Sequence, residues 1–257
     1  MIDLHSHLLP GVDDGARTAD VSAQVLGRFA AEGVEAVVCT PHLLASQAGM
    51  APLDRHREIL VDLRLHVGDS PALMLGWEIM LDVPGVDLSA PGLSLAGSKT
   101  VLVEFPHTGV PLGATHELAR LTSSGVRPLV AHPERYFGCS VSHVREWRSV
   151  GAAIQCEAVS FAGSARVPRL AQALLAEGLI DCLASDNHGD RRSLAAPARW
   201  LKEIGHDHAA TLLTSTNPHA LLADKDLAVV PPVEPPLGAF GRLRELLVGR
   251  PGRASEQ

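Results

Sequence analysis

Glu32-Gly33-Val34-Glu35-Ala36-Val37-Val38-Cys39-Thr40-Pro41-His42 carries the pattern that decides the fold. A glycine closes a helical stretch, because it takes the left-handed conformation just past the last turn at little steric cost. The apolar run Ala36–Cys39 then reads as a strand. A histidine stands just beyond it. The same unit recurs along the chain. Strand-like runs fall at Met1–Leu4, Ala36–Cys39, Leu73–Leu75, Thr100–Val103, Pro128–Ala131, Ala153–Cys156 and Asp181–Ala184. Helical patterns lie between them at Asp20–Glu32, Leu53–Val67, Thr115–Ser123, Val141–Ser149, Pro168–Glu177 and Ala195–Ile204. Strands that alternate with helices pair in parallel. Seven such units fit a distorted TIM-like (β/α)7 barrel, with a doubly wound open sheet as the alternative of the same period.

No linker divides the chain, so residues 1–230 are expected to form a single domain. Pro231-Pro232-Val233-Glu234-Pro235-Pro236 is a stiff, extended break. The segment 231–257 is expected to carry one short helix at Phe240–Val248 and a frayed tail.

The 257 residues are 46% hydrophobic and only 4% aromatic, so Leu, Val, Ala and Ile must fill the core. No run approaches the ~20 apolar residues of a membrane helix, and the first residues lack a signal-peptide pattern. A cytoplasmic protein without membrane insertion is expected. The net charge of -7 argues against a nucleic-acid partner, which calls for a basic surface. The four cysteines form no C-x-x-C pair. Cys39, Cys156 and Cys182 sit in apolar runs and read as buried thiols.

The informative feature is where His, Asp and Glu fall. His5-Ser6-His7 follows the first run, His42 the second, Glu78 the third, Glu104 the fourth, His132 the fifth, and Asp186-Asn187-His188 the seventh. From His7 to His42 is 35 residues, and from His42 to Glu78 is 36. Glu78 to Glu104 is 26 and Glu104 to His132 is 28, while His132 to Asp186 is 54, about two units. Steps of one βα unit return the chain to the same, carboxyl end of the sheet, where parallel α/β folds build their sites. His-x-His in a strand places both rings on one face. A glutamate abutting Val101-Leu102-Val103 is costly to bury unless its charge is compensated, which a cation does. With Asp14 added, five histidines and four carboxylates form an N/O donor set suited to Mn, Fe, Zn or Mg. Three divalent ions against four carboxylates leave about +2, matched to a phosphate dianion and a hydroxide.

These residues lie in motifs that resemble a known family. His5-Ser6-His7-Leu8-Leu9-Pro10-Gly11-Val12-Asp13-Asp14-Gly15-Ala16 is similar to the opening motif of the bacterial tyrosine-protein phosphatases of the PHP (polymerase and histidinol phosphatase) superfamily. These are the CpsB/YwqE-like regulators of capsule and exopolysaccharide. Thr40-Pro41-His42, Gly76-Trp77-Glu78-Ile79, Val103-Glu104-Phe105-Pro106, His132-Pro133-Glu134-Arg135-Tyr136 and Ser185-Asp186-Asn187-His188 resemble the later blocks in order. Thr216-Asn217-Pro218-His219-Ala220-Leu221-Leu222 resembles a late block, read as structural.

The resemblance implies a PHP-type barrel with three divalent ions, Mn first, with Fe, Zn or Mg as alternatives. It implies one ion on His5, His7, Glu78 and Asp186. A second would share Glu78 and add Glu104 and His132. A third would lie on Asp14, His42 and His188. Arg135 is expected at the substrate phosphate, where a planar fork of donors suits the anion. The family often has an Arg soon after the third-strand Glu, where this chain reads Glu78-Ile79-Met80-Leu81-Asp82. It usually has another several residues past the Asp-x-His block, where Arg191 and Arg192 come early. Both are candidate phosphate contacts, and His42 or His188 is a candidate proton donor.

The implied partner is the phosphorylated tyrosine-rich tail of a bacterial tyrosine kinase that controls polysaccharide export; a homo-oligomer is compatible with this reading. The alternatives are a small-molecule phosphatase of the same superfamily, histidinol-phosphate-like or acting on a nucleotide monoester, and a non-catalytic regulator on the same fold. Cys139-Ser140-Val141-Ser142-His143-Val144-Arg145 formally fits C-x5-R, the thiol-phosphatase signature, but holds no glycine to shape a phosphate loop and reads as coincidence. Glu134 is expected to support its neighbours, Asp13 to turn its loop, and His107 is a candidate to face the site.

Overall fold

The computed structural model describes residues 1–69, 71–106, 108–161 and 168–233. Its strands are β1 (Ile2–Ser6), β2 (Ala36–Cys39), β3 (His42–Leu44), β4 (Ala72–Leu75), β5 (Glu78–Met80), β6 (Thr100–Glu104), β7 (Arg127–Ala131), β8 (Ala153–Glu157) and β9 (Cys182–Ala184). Every pairing is parallel, in two ladders, β1-β2-β4 and β3-β5-β6-β7-β8-β9. Thr40-Pro41 alone separates β2 from β3, and Gly76-Trp77 alone separates β4 from β5. Each pair is one staggered strand, jogged where Pro41 offers no N–H to a ladder. Counted so, seven strands run in chain order.

The circle closes between first and last. Ser6 bridges Asn187, Asp186 N donates to His5 O at 2.9 Å, and His7 N donates to Asn187 O at 2.8 Å. A closed barrel in chain order is the (β/α)7 architecture expected from the alternation; a doubly wound sheet reverses its strand order and stays open.

The connecting helices are α1 (Ala19–Ala31), α2 (Leu53–Val67), α3 (Ala114–Ser123), α4 (Val141–Ser149), α5 (Arg169–Ala176) and α6 (Ala195–Glu203), followed by α7 (Asp207–Thr211) and α8 (Asn217–Leu222). Each turns an apolar stripe inward: Val25, Leu26 and Phe29 of α1, Leu118 and Leu121 of α3, Val144 and Trp147 of α4, Leu174 and Leu175 of α5. β6 is buried throughout, as strands covered on both faces are. The third unit has no helix, as the absence of a helical pattern between Leu75 and Thr100 in the sequence leads one to expect. Between β5 and β6 the described chain forms only a 3-10 turn, Leu95–Gly97. Cys39, Cys156 and Cys182 are buried free thiols. No helix among the described residues is long and apolar enough to cross a membrane.

The late block does structural work. Asn217 is fully buried; its amide donates to Asp181 O (3.0 Å) and Ala228 O (2.9 Å), and its Oδ1 accepts from Ala228 N (2.9 Å). It thereby ties the segment leading to Val233 against the start of β9. Val233 N donates to Leu175 O at 3.1 Å and completes the strap. Most of the Pro-rich break and the expected helix Phe240–Val248 lie outside the described residues. Asn217→Ala leaves three backbone groups at this seam, Asp181 O, Ala228 O and Ala228 N, without their side-chain partner, and a loss of about 1–3 kcal/mol of stability is expected by urea unfolding.

Candidate metal centre

The strand ends bring all nine sequence-picked His, Asp and Glu residues to one mouth of the barrel. His5 and His7 leave β1 on one face, as the strand period requires. The jogs at Pro41 and Trp77 set His42 and Glu78 side by side at the starts of β3 and β5, where they are register partners. Glu104 ends β6, His132 follows β7 directly, and Asp186 lies two residues past the end of β9. Both His132 and Asp186 hold left-handed backbone, φ 32° and φ 47°. Such strain in non-glycine residues persists where the surroundings over-determine it.

Donor atoms gather in four overlapping groups, each within 4.8 Å: His5, Glu78 and His132; His5, His7 and Asp186; His42, Glu78 and Glu104; and His7, Asp14, His42 and His188. All are buried except Asp14, His42 and His188, which open the cluster to solvent. The loop that carries Asp14 folds tightly back on β1, with Ala16 N donating to His7 O at 2.8 Å.

The outer ring nitrogens are held by neighbours. His5 Nδ1 donates to Gln155 Oε1 (3.0 Å) and His7 Nδ1 to Asp13 Oδ2 (2.7 Å). These contacts fix the tautomer and turn each Nε2 lone pair inward. There, His5 Nε2 and His7 Nε2 face each other at 3.2 Å, and both lie 3.2–3.3 Å from Asp186 Oδ1 and Glu78 Oε2. His42 Nδ1 also approaches Glu78 Oε2, at 3.0 Å. Yet that buried oxygen has no hydrogen-bond partner, whereas its twin, Oε1, accepts from His132 Nε2 at 2.7 Å. With neutral rings these acceptors would repel one another; protons on the rings or a cation among them removes the repulsion, so this donor set fits divalent metal.

Electrostatics agree. Burial lowers the affinity of His5 for protons, but Glu78 and Asp186 outweigh it and raise its pKa to about 9. His7, buried beside Asp13, Asp186 and Glu78, is raised to about 11. Burial works against the charge on Glu78, but His5 and the His132 hydrogen bond hold its pKa well below the usual range. Burial and then repulsion from Glu78 push Glu104 up to about 7. The carboxylates need positive charge at this spot, and the histidines hold protons until something else supplies it.

One group beside the cluster, Glu157, and one role, that of Asp13 toward His7, are absent from the sequence reading. Glu157 ends β8, the one run to which no ligand-type residue had been matched; the same strand-end rule would have found it. Its Oε1 and Asp186 Oδ2 both accept from Arg135 Nη1, each at 3.0 Å. Asp13 orients His7 in addition to turning its loop through Gly15 N, at 3.0 Å. Arg192, not Arg191, turns toward the cluster, with Nη1 donating to Asp186 Oδ2 at 3.2 Å. Arg28 holds that loop by donating to Asp190 O at 2.7 Å. Arg191 is exposed and makes no hydrogen bond or ion pair among the described residues. Glu134 supports its neighbours as expected, accepting from Glu157 N at 2.7 Å. His107 lies outside the described residues. The C-x5-R segment makes no phosphate loop: Arg145 is paired with Glu177, and burial pushes the Cys139 thiol up to about 12.

The profile of the family described as capsular polysaccharide synthesis, CpsB/CapC, matches residues 1–223. The chain is 28% identical over 251 residues to the tyrosine-protein phosphatase YwqE of Bacillus subtilis (strain 168), covering 90% of this chain and 95% of that one. It is 28% identical over 205 residues to the tyrosine-protein phosphatase CpsB of Streptococcus pneumoniae, covering 73% and 83%. A chain from the crystal structures of YwqE and CpsB, described as metal-dependent tyrosine phosphatases, superposes with TM-score 0.75 at 28% identity, covering 91% of this chain and 100% of that one. An organophosphorus hydrolase from Deinococcus radiodurans shares the fold at TM-score 0.52 and 15% identity, covering 86% and 92%.

Gly15 makes the loop closure possible. A Cβ there would lie 2.1 Å from His7 O. Gly15→Ala must open the loop and move Asp14 away from His42 and His188, now 3.3 and 3.5 Å from its carboxylate. A clear cut in the rise in Tm on adding Mn is expected, measured by thermal unfolding against Gly27→Ala, whose Cβ meets nothing within 4 Å.

Proposed function

The chain belongs to the CpsB/CapC family of capsular polysaccharide synthesis, and from that premise we propose that it is a metal-dependent tyrosine-protein phosphatase acting on a phosphorylated bacterial tyrosine kinase. The observation that carries the reading is the convergence of His5, His7 and His42 on the unbonded Glu78 Oε2. Three ions, Mn first, are assigned to the overlapping donor groups: His5, His7, Glu78 and Asp186; Glu78, Glu104 and His132; Asp14, His42 and His188. Divalent metal held there supplies Lewis acidity toward the phosphoryl oxygens and a water acidic near neutral pH.

The chain's own groups do the rest. Gln155 and Asp13 hold the His5 and His7 rings in place, so the phosphate meets a preorganised positive field. Arg135 is anchored through one nitrogen only, and its remaining donors have no partner among the described residues. They are assigned to the phosphate oxygens, as a guanidinium fork suits that anion. Arg192 lies on the other side of Asp186 and is assigned the same role. The leaving phenolate, with a pKa near ~10, needs little protonation compared with an alkoxide. His42 and His188 stand at the open side, but as ligands of an ion they are occupied, so neither is assigned the proton transfer.

Metal-stripped protein should hydrolyse no phosphotyrosine peptide and should recover with Mn. Glu78→Ala is expected to lose more than about a hundredfold in kcat/KM, and Arg135→Ala about tenfold to a hundredfold. Cys139→Ser should be fully active. Activity that survives chelation and dies in Cys139→Ser would contradict the reading. Turnover of histidinol phosphate or nucleotides alone would move the substrate to a small ester.

A further inference from the structure

A cavity of about 410 Å³ opens beside the cluster, and His42 and Glu104 form part of its wall. Its size lies in the lower part of the range for small-ligand sites. Whatever is esterified to a phosphate seated on the cluster must leave through a neighbouring space, and this one is contiguous with it. The remaining wall is largely apolar: Val12 from the loop that carries Asp14, Leu43 and Leu44 from β3, Met80 from β5. Met80 lies in register with Glu104. Trp77 is fully buried, its indole fixed by donation to Gly92 O at 2.8 Å. His56 stacks on it at 4.7 Å between centroids and 30° between planes. Burial and then the charge of Arg55 lower the pKa of His56, so this aromatic pair is neutral. This rigid pair lies beneath the wall and braces it; the surface a flat ring would meet comes from Val12, Leu44 and the adaptable Met80.

The lip is different. Gln47 and Arg55 are exposed there, and Arg55 has no ion-pair partner among the described residues. Resting on the phosphatase reading above, we infer that this cavity is the subsite for the aromatic ring of the substrate, with Arg55 at its lip receiving a carboxylate from a residue flanking the phosphotyrosine. The chain then selects aryl phosphates by burial of the ring, not by the metal cluster, which meets every phosphate alike. An acidic peptide is preferred over a neutral one.

The test is binding of non-hydrolysable ligands to the Mn-loaded protein by isothermal titration calorimetry. Phenylphosphonate is expected to bind about tenfold more tightly than methylphosphonate, from the apolar area of one ring. Gln47→Trp and Leu44→Trp, which fill the cavity from its rim, should bring that ratio to about one, with methylphosphonate binding reporting that the cluster is intact. Arg55→Glu should abolish the preference for a phosphonomethyl-phenylalanine peptide with acidic flanks over one with neutral flanks. Equal affinity for the two phosphonates in the parent protein, or a phenyl preference that survives both tryptophans, would overturn the inference. A parent protein that binds neither phosphonate would sink the metal-centre reading itself, and the subsite with it.

Discussion

Everything at the mouth of this barrel answers to one constraint: buried lone pairs must not face one another without positive charge between them. His5 Nε2, His7 Nε2, Asp186 Oδ1 and Glu78 Oε2 lie within 3.2–3.3 Å across their contacts. In water each would find a proton donor; here the positive charge must come from protons on the rings or from a cation. Gln155 and Asp13 occupy the outer nitrogens, and burial excludes solvent. An uncompensated carboxylate in such a place costs several kcal/mol. Protons on His5 and His7 can supply that charge, and a divalent ion can replace them. Structure and chemistry therefore share one requirement.

The barrel supplies the precision. Two of its seven strands are staggered, and its closure runs through the site: the bonds between β1 and the Asp186-Asn187 turn position His5, His7 and Asp186 together. The left-handed backbone at His132 and Asp186 bends the chain just after β7 and β9, so that the side chains turn inward. The open side borders the apolar cavity through His42, and Arg135 reaches the cluster through Asp186; on the function proposed above, phosphate and its organic group have separate receptors.

Much of this was legible in the sequence because two signals had the same period. The run Thr100–Val103 announced β6, and Glu104 at its end announced the site; neither needed tertiary information. The jogs did not read out. His42–Leu44 and Glu78–Met80 are three-residue strands too short for periodicity to register, and only their parallel partners make them strands. No helical pattern stood between the third and fourth runs, and none forms there; what could not be read is how loop 81–99 is held, by contacts such as Trp77 to Gly92 that no local pattern encodes. Glu157 was overlooked although it obeyed the rule that found Glu104. The choice between Arg191 and Arg192 could not be made from order alone, because it depends on how Arg28 pins the loop.

The most direct test is a crystal structure of the Mn-loaded protein with anomalous diffraction data collected above the manganese edge. Anomalous peaks are predicted inside the cage bounded by His5, His7, Glu78 and Asp186, between Glu78, Glu104 and His132, and among Asp14, His42 and His188. A cluster that shows no anomalous density at saturating Mn, with His5 and His7 still protonated against Glu78 and Asp186, would contradict the account.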